Sequence, residues 1–258
     1  MTIPNGNIRL PRSVLVAPDA LYHAILGDTS SVELLEDADA MVIPQTAKPR
    51  FQEERVALLR ELLSDSDQLA AGVLLIRNPY ETASYEHAAQ AIEVFTSAKF
   101  HALANLSRLL GATAVEFREA KVELKNSKWR AGLGVDVPAF GADAKASKEM
   151  SKKIEKHITA EMTFPGSAPA IDEATKYIAR RNLSNDQQMN DLVDLRTGEN
   201  PIGSYKVTLN GTRESAANFK SALKIANAGP LKAIDVGASF KMTVDSMTSI
   251  RLVTEITF

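Results

Sequence analysis

The sequence contains no cysteine. This absence excludes disulfide bonds, thiolate nucleophiles, iron–sulfur clusters and cysteine-based zinc sites. The opening residues lack a basic stretch followed by a long apolar stretch, so no secretion signal is expected. No apolar run approaches the roughly 20 residues that a membrane-spanning helix needs. Together these absences predict a cytoplasmic protein.

The chain also lacks an excess of charge of one sign. Its formal net charge is −2 over 258 residues. Proteins that bind nucleic acid through its phosphates usually carry a clear positive excess, so no nucleic-acid partner is expected. The charges are unevenly placed, because residues 19–67 hold eleven acidic and four basic residues, whereas residues 118–156 hold ten basic and six acidic residues. The simplest interpretation of this contrast is a set of solvated, mixed-charge surfaces.

Catalytic motifs are missing as well. The sequence has no GxxxxGK[ST] and no GxSxG, so neither a P-loop nucleotide site nor a serine-hydrolase elbow is predicted. The four histidines form no HExxH motif and no close ligand pair. No catalytic residue, no metal site and no cofactor is therefore predicted. An enzyme with an unrecognised site in the N-terminal region stays open as an alternative.

Residues 1–112 show apolar runs that alternate with amphipathic stretches, which is typical of an α/β region. Met41–Pro44 and Ala70–Ile76 are predicted strands, and Arg50–Leu63 is a predicted amphipathic helix. A longer helical pattern extends from about Thr82 to Leu110, and the glycine after it is a suitable C-terminal cap. This region therefore combines a small sheet with one long helix.

The pattern changes from helical to alternating after residue 111. Val115 and Phe117 share one parity, whereas Ala120, Val122 and Leu124 have the other parity. This change predicts a β-bulge near Arg118 and Glu119. A helical insert is predicted at residues 170–196, and another helix follows the strand Tyr205–Leu209.

Two short segments about 94 residues apart resemble each other. Gly141–Lys145 leads to the strand pattern of Ile158–Phe164, and Gly237–Lys241 leads to that of Leu252–Phe258. Each copy is predicted to form a β-hairpin that belongs to a unit of strand, variable connector and hairpin. The predicted fold is therefore α+β, with an N-terminal α/β region over residues 1–112 and two related antiparallel β units with helical inserts over residues 113–258.

Residues 85–166 contain a helix, the strand sequence VEFREAKVELK, a glycine-containing loop, AGLGVDVPAFGADAKAS and a closing KHITAEMTF. In strand pattern and glycine placement this third of the chain resembles the bacterial trypsin-co-occurring domain, a family whose function is poorly known. The family has no catalytic signature that could be transferred. The resemblance implies a component of a bacterial conflict system and favours an interaction or effector role over metabolic enzymology.

Two groups of residues are candidates for an interaction surface. Trp129 and Arg130 lie in a predicted connector, and both residue types are enriched in interface hot spots. The alternative for Trp129 is a structural one, in which the ring covers the sheet. The densest basic cluster of the chain lies at the predicted turn of the first hairpin, where it could bind phosphates or only increase solubility. Its members are Lys145, Lys148, Lys152, Lys153 and Lys156.

These observations favour a non-enzymatic bacterial protein that self-associates or binds a protein partner. Two alternatives remain besides it. One is a membrane-perturbing effector whose hairpins, such as residues 145–164, rearrange and insert, because alternating strands of this kind also occur in membrane β-structures. The other is the enzyme with an unrecognised site in the N-terminal region.

Overall fold

The computed structural model describes residues 9–28, 31–64, 67–81, 83–124, 139–158, 161–228, 231 and 238–258. The fold is α+β and contains two four-stranded sheets. The strands are β1 (Ser13–Ala17), β2 (Ala40–Pro44), β3 (Val73–Arg77), β4 (Tyr85–His87), β5 (Ala114–Leu124), β6 (Met162–Thr163), β7 (Ser204–Asn210) and β8 (Met247–Thr257). The helices are α1 (Asp19–Gly27), α2 (Glu53–Leu63), α3 (Ala91–Leu109), α4 (Ala139–His157), α5 (Ile171–Arg180), α6 (Gln187–Arg196), α7 (Ala216–Ala226) and α8 (Ala238–Ser246), with short 3-10 helices at Val32–Leu35 and Asp67–Leu69.

The chain forms two compact units, and each unit is made of two separate parts of the sequence. Unit 1 contains Met1–Ala91 and Ser215–Val244, and unit 2 contains Ile92–Glu214 and Asp245–Phe258. The boundary that the sequence predicts at residue 112 therefore lies inside unit 2. A composition change along the chain does not reveal this division, because α7 joins unit 1 through contacts with residues about 200 positions away.

Unit 1 is built on a mixed sheet, sheet A, with the order β2-β1-β3-β4. Strand β1 has two neighbours of opposite direction: it is parallel to β2 and antiparallel to β3. All side chains of β1 and β2 are buried, as expected for strands that are covered on both faces. On one face Val14 and Val16 pack with Val56 and Leu59 of α2. On the other face α7 packs against β1, β2 and β3.

Unit 2 is built on an antiparallel sheet, sheet B, with the order β6-β5-β8-β7. The two β units that the sequence predicts contribute to this one sheet. The pairing of β5 with β8 shifts register between Phe117 and Glu119, which confirms the predicted bulge. Val115, Ala120 and Val122 are consequently all buried although their parity changes along the strand.

Helix α3 is the buried core of unit 2. Phe95, Phe100 and Leu103 are fully buried, and the Phe100 ring meets the Phe117 ring of β5 edge-on at 5.7 Å between centroids. The helix ends as predicted at Gly111, whose φ is +88°. The Gly111 N–H donates to the Arg108 carbonyl and the Ala112 N–H donates to the Ser107 carbonyl, which is the Schellman arrangement.

The prediction of two β-hairpins is wrong for the first strand of each hairpin. Residues 139–157 and 238–246 are the helices α4 and α8, and each is followed by a strand. In the second copy β8 is already paired on both sides, by β5 and β7, so sheet B has no edge beside β8 for a further arm. In the first copy the apolar residues Ile154 and Ile158 are four positions apart, a spacing that keeps them on one face in a helix as well as in a strand.

The predicted long helix is shorter than expected. Residues 85–87 form β4, and α3 begins only at Ala91. Pairing with β3 determines this difference, because Tyr85 stands opposite Arg77 and its hydroxyl donates to the Pro11 carbonyl at 2.7 Å. Among the described residues, no helix is both long and apolar enough to cross a membrane.

Candidate functional site

The five lysines of the basic cluster lie on α4 instead of at a hairpin turn, and the side chains of all five are exposed. At about 100° per residue, four of them fall within an arc of about 80° on the helix surface, and they extend over about 17 Å. We call these four residues the lysine stripe. The stripe consists of Lys145, Lys148, Lys152 and Lys156, and Lys153 lies beside it.

Helix α4 is held in place by its opposite face. Ile154 and Ile158 are buried, and the helix packs against β5. The Ser97 hydroxyl of α3 donates to the His157 carbonyl at 3.2 Å. Glu155 accepts a hydrogen bond at 3.4 Å from the Ala120 N–H, in the part of β5 that extends beyond β6. The stripe is therefore presented by a helix whose orientation is fixed.

One carboxylate lies at the edge of the lysine stripe, because the exposed Glu149 of α4 is four residues after Lys145 and three before Lys152. Within the part of the chain that the structure describes, none of the five lysines forms an ion pair. Some other exposed charges of unit 2 are paired: Arg118 contacts Glu116 and Glu255, and Lys121 lies 2.8 Å from Glu119. The stripe is thus a basic surface whose four lysines form no ion pair with the described residues. Trp129 and Arg130, the other predicted interaction residues, lie outside the described residues.

Unit 1 contains an open cleft of about 610 Å³ between α7 and the N-terminal ends of β1 and β2. Sequence reasoning missed it, because its residues come from three distant segments of the chain. Five ionisable side chains contribute to its lining, two acidic and three basic. They are Arg12, Asp37, Asp39, Lys220 and Lys224.

Asp37 is held by donors from two elements. One carboxylate oxygen accepts the Asp39 and Ala40 N–H groups at 2.6 and 2.7 Å, and the other oxygen contacts the Lys224 ammonium. Burial of the carboxyl group opposes ionisation, but the hydrogen bonds from Lys224 and from the two backbone amides outweigh it and lower the pKa of Asp37. Asp37 is therefore a fixed negative charge.

Asp39 is paired with two arginines. Its carboxylate lies 3.0 Å from the Arg9 guanidinium and 3.3 Å from that of Arg12. Arg12 also donates to the Asn218 side chain of α7 at 3.4 Å, and Asn218 in turn donates to the Arg77 carbonyl at 2.7 Å. The ion pairs and α7 thereby hold the Arg12 side chain at the wall of the cleft.

A buried hydroxyl pair forms the floor of this region. The hydroxyl oxygens of Ser13 and Ser221 are 2.6 Å apart, and the Ser221 hydroxyl donates to the Asp39 carbonyl at 2.7 Å. Among the described residues that line the cleft there is no histidine. Because Ser221 donates to a backbone oxygen and has no base beside it, it is not placed as a nucleophile.

Unit 2 contains a second charged group that the sequence did not reveal. The Lys99 side chain is fully buried, and its ammonium lies 2.6 Å from Asp186 and 2.8 Å from Glu214. Asp186 also caps α6 by accepting the Met189 N–H at 3.2 Å. Asp186 is 87 residues after Lys99, and Glu214 is 28 residues after Asp186, so no local sequence pattern indicates the group. With the lysine buried and paired twice, we interpret it as a structural ion network.

The described residues contain no group of three or more histidine or carboxylate side chains that could hold a metal ion. No family model, curated protein or solved structure matches this chain. The resemblance of residues 85–166 to the trypsin-co-occurring domain therefore stays a prediction.

Proposed function

We propose that this protein is a binding protein that self-associates through the lysine stripe of α4. One observation carries the proposal: four lysines extend along one exposed helix face with no ion-pair partner in the described part of the chain. Aligned like charges repel one another, and an opposite surface relieves this repulsion. Contact with carboxylates therefore relieves the repulsion between the lysines of the stripe.

A protein surface fits the stripe better than nucleic acid or a membrane does. The net charge of −2 opposes the approach of a polyanion. A basic amphipathic helix that enters a membrane interface uses its apolar face. In α4 that face is already occupied, because Ile154 and Ile158 are buried within unit 2.

The chain itself supplies a complementary surface in unit 1. Four of the exposed glutamates there take part in no ion pair with the described residues. Two of them lie in or directly after the 3-10 helix Val32–Leu35, and the other two lie on α2. The Gln52 side chain donates to the Leu35 carbonyl at 3.0 Å, which brings the 3-10 helix to the start of α2. We call them the acidic surface: Glu33, Glu36, Glu54 and Glu61.

The proposed contact joins the lysine stripe of one copy to the acidic surface of another. Because two different surfaces meet, the contact is heterologous, and repeated contacts produce a ring if they close and a filament if they do not. Contacts of this kind are screened by salt, since the Debye length falls from about 10 Å at 0.1 M to about 3 Å at 1 M.

The test is the native mass measured by light scattering coupled to size exclusion. We expect a mass above the 28.0 kDa of one chain at low ionic strength and a lower mass in high salt. The double variant Lys148→Glu/Lys152→Glu should be monomeric under both conditions. Lys176→Glu is the matched control, because it reverses an exposed lysine on α5 that takes part only in a surface ion pair.

A charge-swap experiment identifies the partner surface. Glu54→Lys/Glu61→Lys should also be monomeric, and mixing it with Lys148→Glu/Lys152→Glu should restore a complex. A wild-type monomer at low salt would refute self-association. Assembly of the wild type that persists in the stripe variant would place the interface elsewhere.

A further inference from the structure

We infer that the cleft of unit 1 is a binding site for a phosphate-bearing small molecule. The cleft volume of about 610 Å³ lies in the range of about 300 to 1,000 Å³ that is typical of small-molecule sites. The argument rests on the number of positive charges, on their fixed positions and on one lysine that is left free.

The charges around the cleft leave a positive excess. Three cations line it, namely Arg12, Lys220 and Lys224, against the two carboxylates of Asp37 and Asp39. The remaining positive charge favours an anion, and a phosphate carries a charge of about −1.5 to −2 at neutral pH together with three strong acceptor oxygens.

The cations are held in position before a ligand arrives. Arg12 is fixed by Asp39 and Asn218, and Lys224 is fixed by Asp37. Both keep N–H groups that these contacts do not use, because a guanidinium has five and an ammonium has three. A phosphate has enough oxygens to accept from several such donors at once.

Lys220 provides the free charge. It lies one turn before Lys224 on α7, its side chain is exposed, and it forms no ion pair with any described residue. At positions four apart on a helix, the two ammonium groups project from the same face. Lys224 is already paired with Asp37, and a phosphate that lies between the two lysines also compensates the charge of Lys220.

The test is a titration of the full chain with sodium phosphate, followed by the backbone amide signals in proton–nitrogen correlation spectra. Sodium chloride at equal ionic strength is the reference. We expect saturable shifts in the millimolar range at α7 and at residues 37–40. Lys220→Gln should weaken the affinity by about fivefold, as for loss of one exposed charge contact. Lys152→Gln, in the lysine stripe, should leave it unchanged.

Three results would overturn the inference: shifts that sodium chloride reproduces, shifts centred on α4, or an affinity that Lys220→Gln does not change. The spectrum of Lys220→Gln itself shows that the variant is folded. The inference does not rest on self-association, since Lys220 lies outside both the lysine stripe and the acidic surface. A negative result for phosphate binding therefore does not affect the proposal of self-association, and a negative result for self-association does not affect the inference of phosphate binding.

Discussion

Thr163 and Thr257, which are 94 positions apart in the chain, both stand opposite Ala114 of β5. Their neighbours Met162 and Ile256 both stand opposite Val115. The two segments that resemble each other in sequence therefore lie in the same register on the two sides of one strand. They differ in extent, because β6 has two residues and β8 has eleven.

The Schellman end of α3 leads to a first prediction, on Gly111. A Cβ at this position would lie 2.2 Å from the Ser167 carbonyl oxygen, and φ is +88°. Gly111→Ala should therefore combine a backbone strain of about 1 kcal/mol with a steric clash, and should lower the free energy of unfolding by more than about 3 kcal/mol. Urea denaturation measures the loss.

Gly198→Ala is the matched control for this prediction. Its φ is +105°, but no atom lies within 4 Å of the added Cβ. Gly198→Ala should therefore lower the free energy of unfolding only by the backbone strain of about 1 kcal/mol. Equal losses in the two variants would show that the contact with Ser167 is not what constrains Gly111.

The ion network of unit 2 leads to a second prediction. Lys99→Met keeps the length of the side chain but leaves Asp186 and Glu214 without their cation in a largely closed site. Removal of one partner from a buried ion pair typically costs about 3 to 5 kcal/mol. Lys176→Met, which breaks an exposed pair with Glu173, should cost less than about 1 kcal/mol.

Thermal or chemical unfolding of both lysine variants provides the comparison. A small loss in Lys99→Met would mean that water or a rearranged side chain reaches the two carboxylates. The interpretation of Lys99 as a structural charge would then be wrong.

A third prediction concerns the pH dependence of stability. Asp19, in the first turn of α1, accepts N–H groups of Ala47 and Thr46 at 3.0 Å each and contacts the Thr46 hydroxyl. The Ala47 amide, the Thr46 hydroxyl and the Thr46 amide lower the pKa of Asp19 to about 2. Because this pKa is lower in the folded than in the unfolded chain, the stabilisation is complete above about pH 4.

The stabilisation by Asp19 is then lost as the pH falls towards 2. Asp19→Asn should show a smaller decrease in stability between pH 4 and pH 2 than the wild type. Thr46→Val, which removes one donor, should raise the pKa of Asp19 as measured by carboxyl-carbon NMR titration. Identical pH profiles in wild type and Asp19→Asn would refute the assignment.

The sequence predicts local structure where the apolar residues follow one periodicity, either that of a helix or that of a strand. The strand at residues 41–44, the helix of α2, the insert helices α5 and α6, and the bulge after Phe117 are all confirmed. The hairpins are not, because Ile154 and Ile158 fit a helix and a strand equally well. Only packing and pairing with β5, which is distant in the sequence, decide between the two.

The sites depend even more on distant contacts. The exposed lysines of α4 are visible in the sequence as a cluster, but their alignment along one face follows from the helix that the sequence analysis did not predict. The cleft joins Asp37 to Lys224, and the ion network joins Lys99 to Asp186 and Glu214. No spacing rule relates positions so far apart in one sequence.

The discontinuous construction of unit 1 has a consequence for how the chain is made. Ser13 and Ser221, whose hydroxyls touch beneath α7, are 208 positions apart. During translation sheet A thus waits without α7 for the whole of residues 92–214, which takes on the order of ten seconds at about 5 to 20 residues per second. Over that time the apolar face that α7 later covers is open to chaperones on the nascent chain. Sheet B is completed later still, since β8, which joins β5 to β7, follows both of them in the order of synthesis.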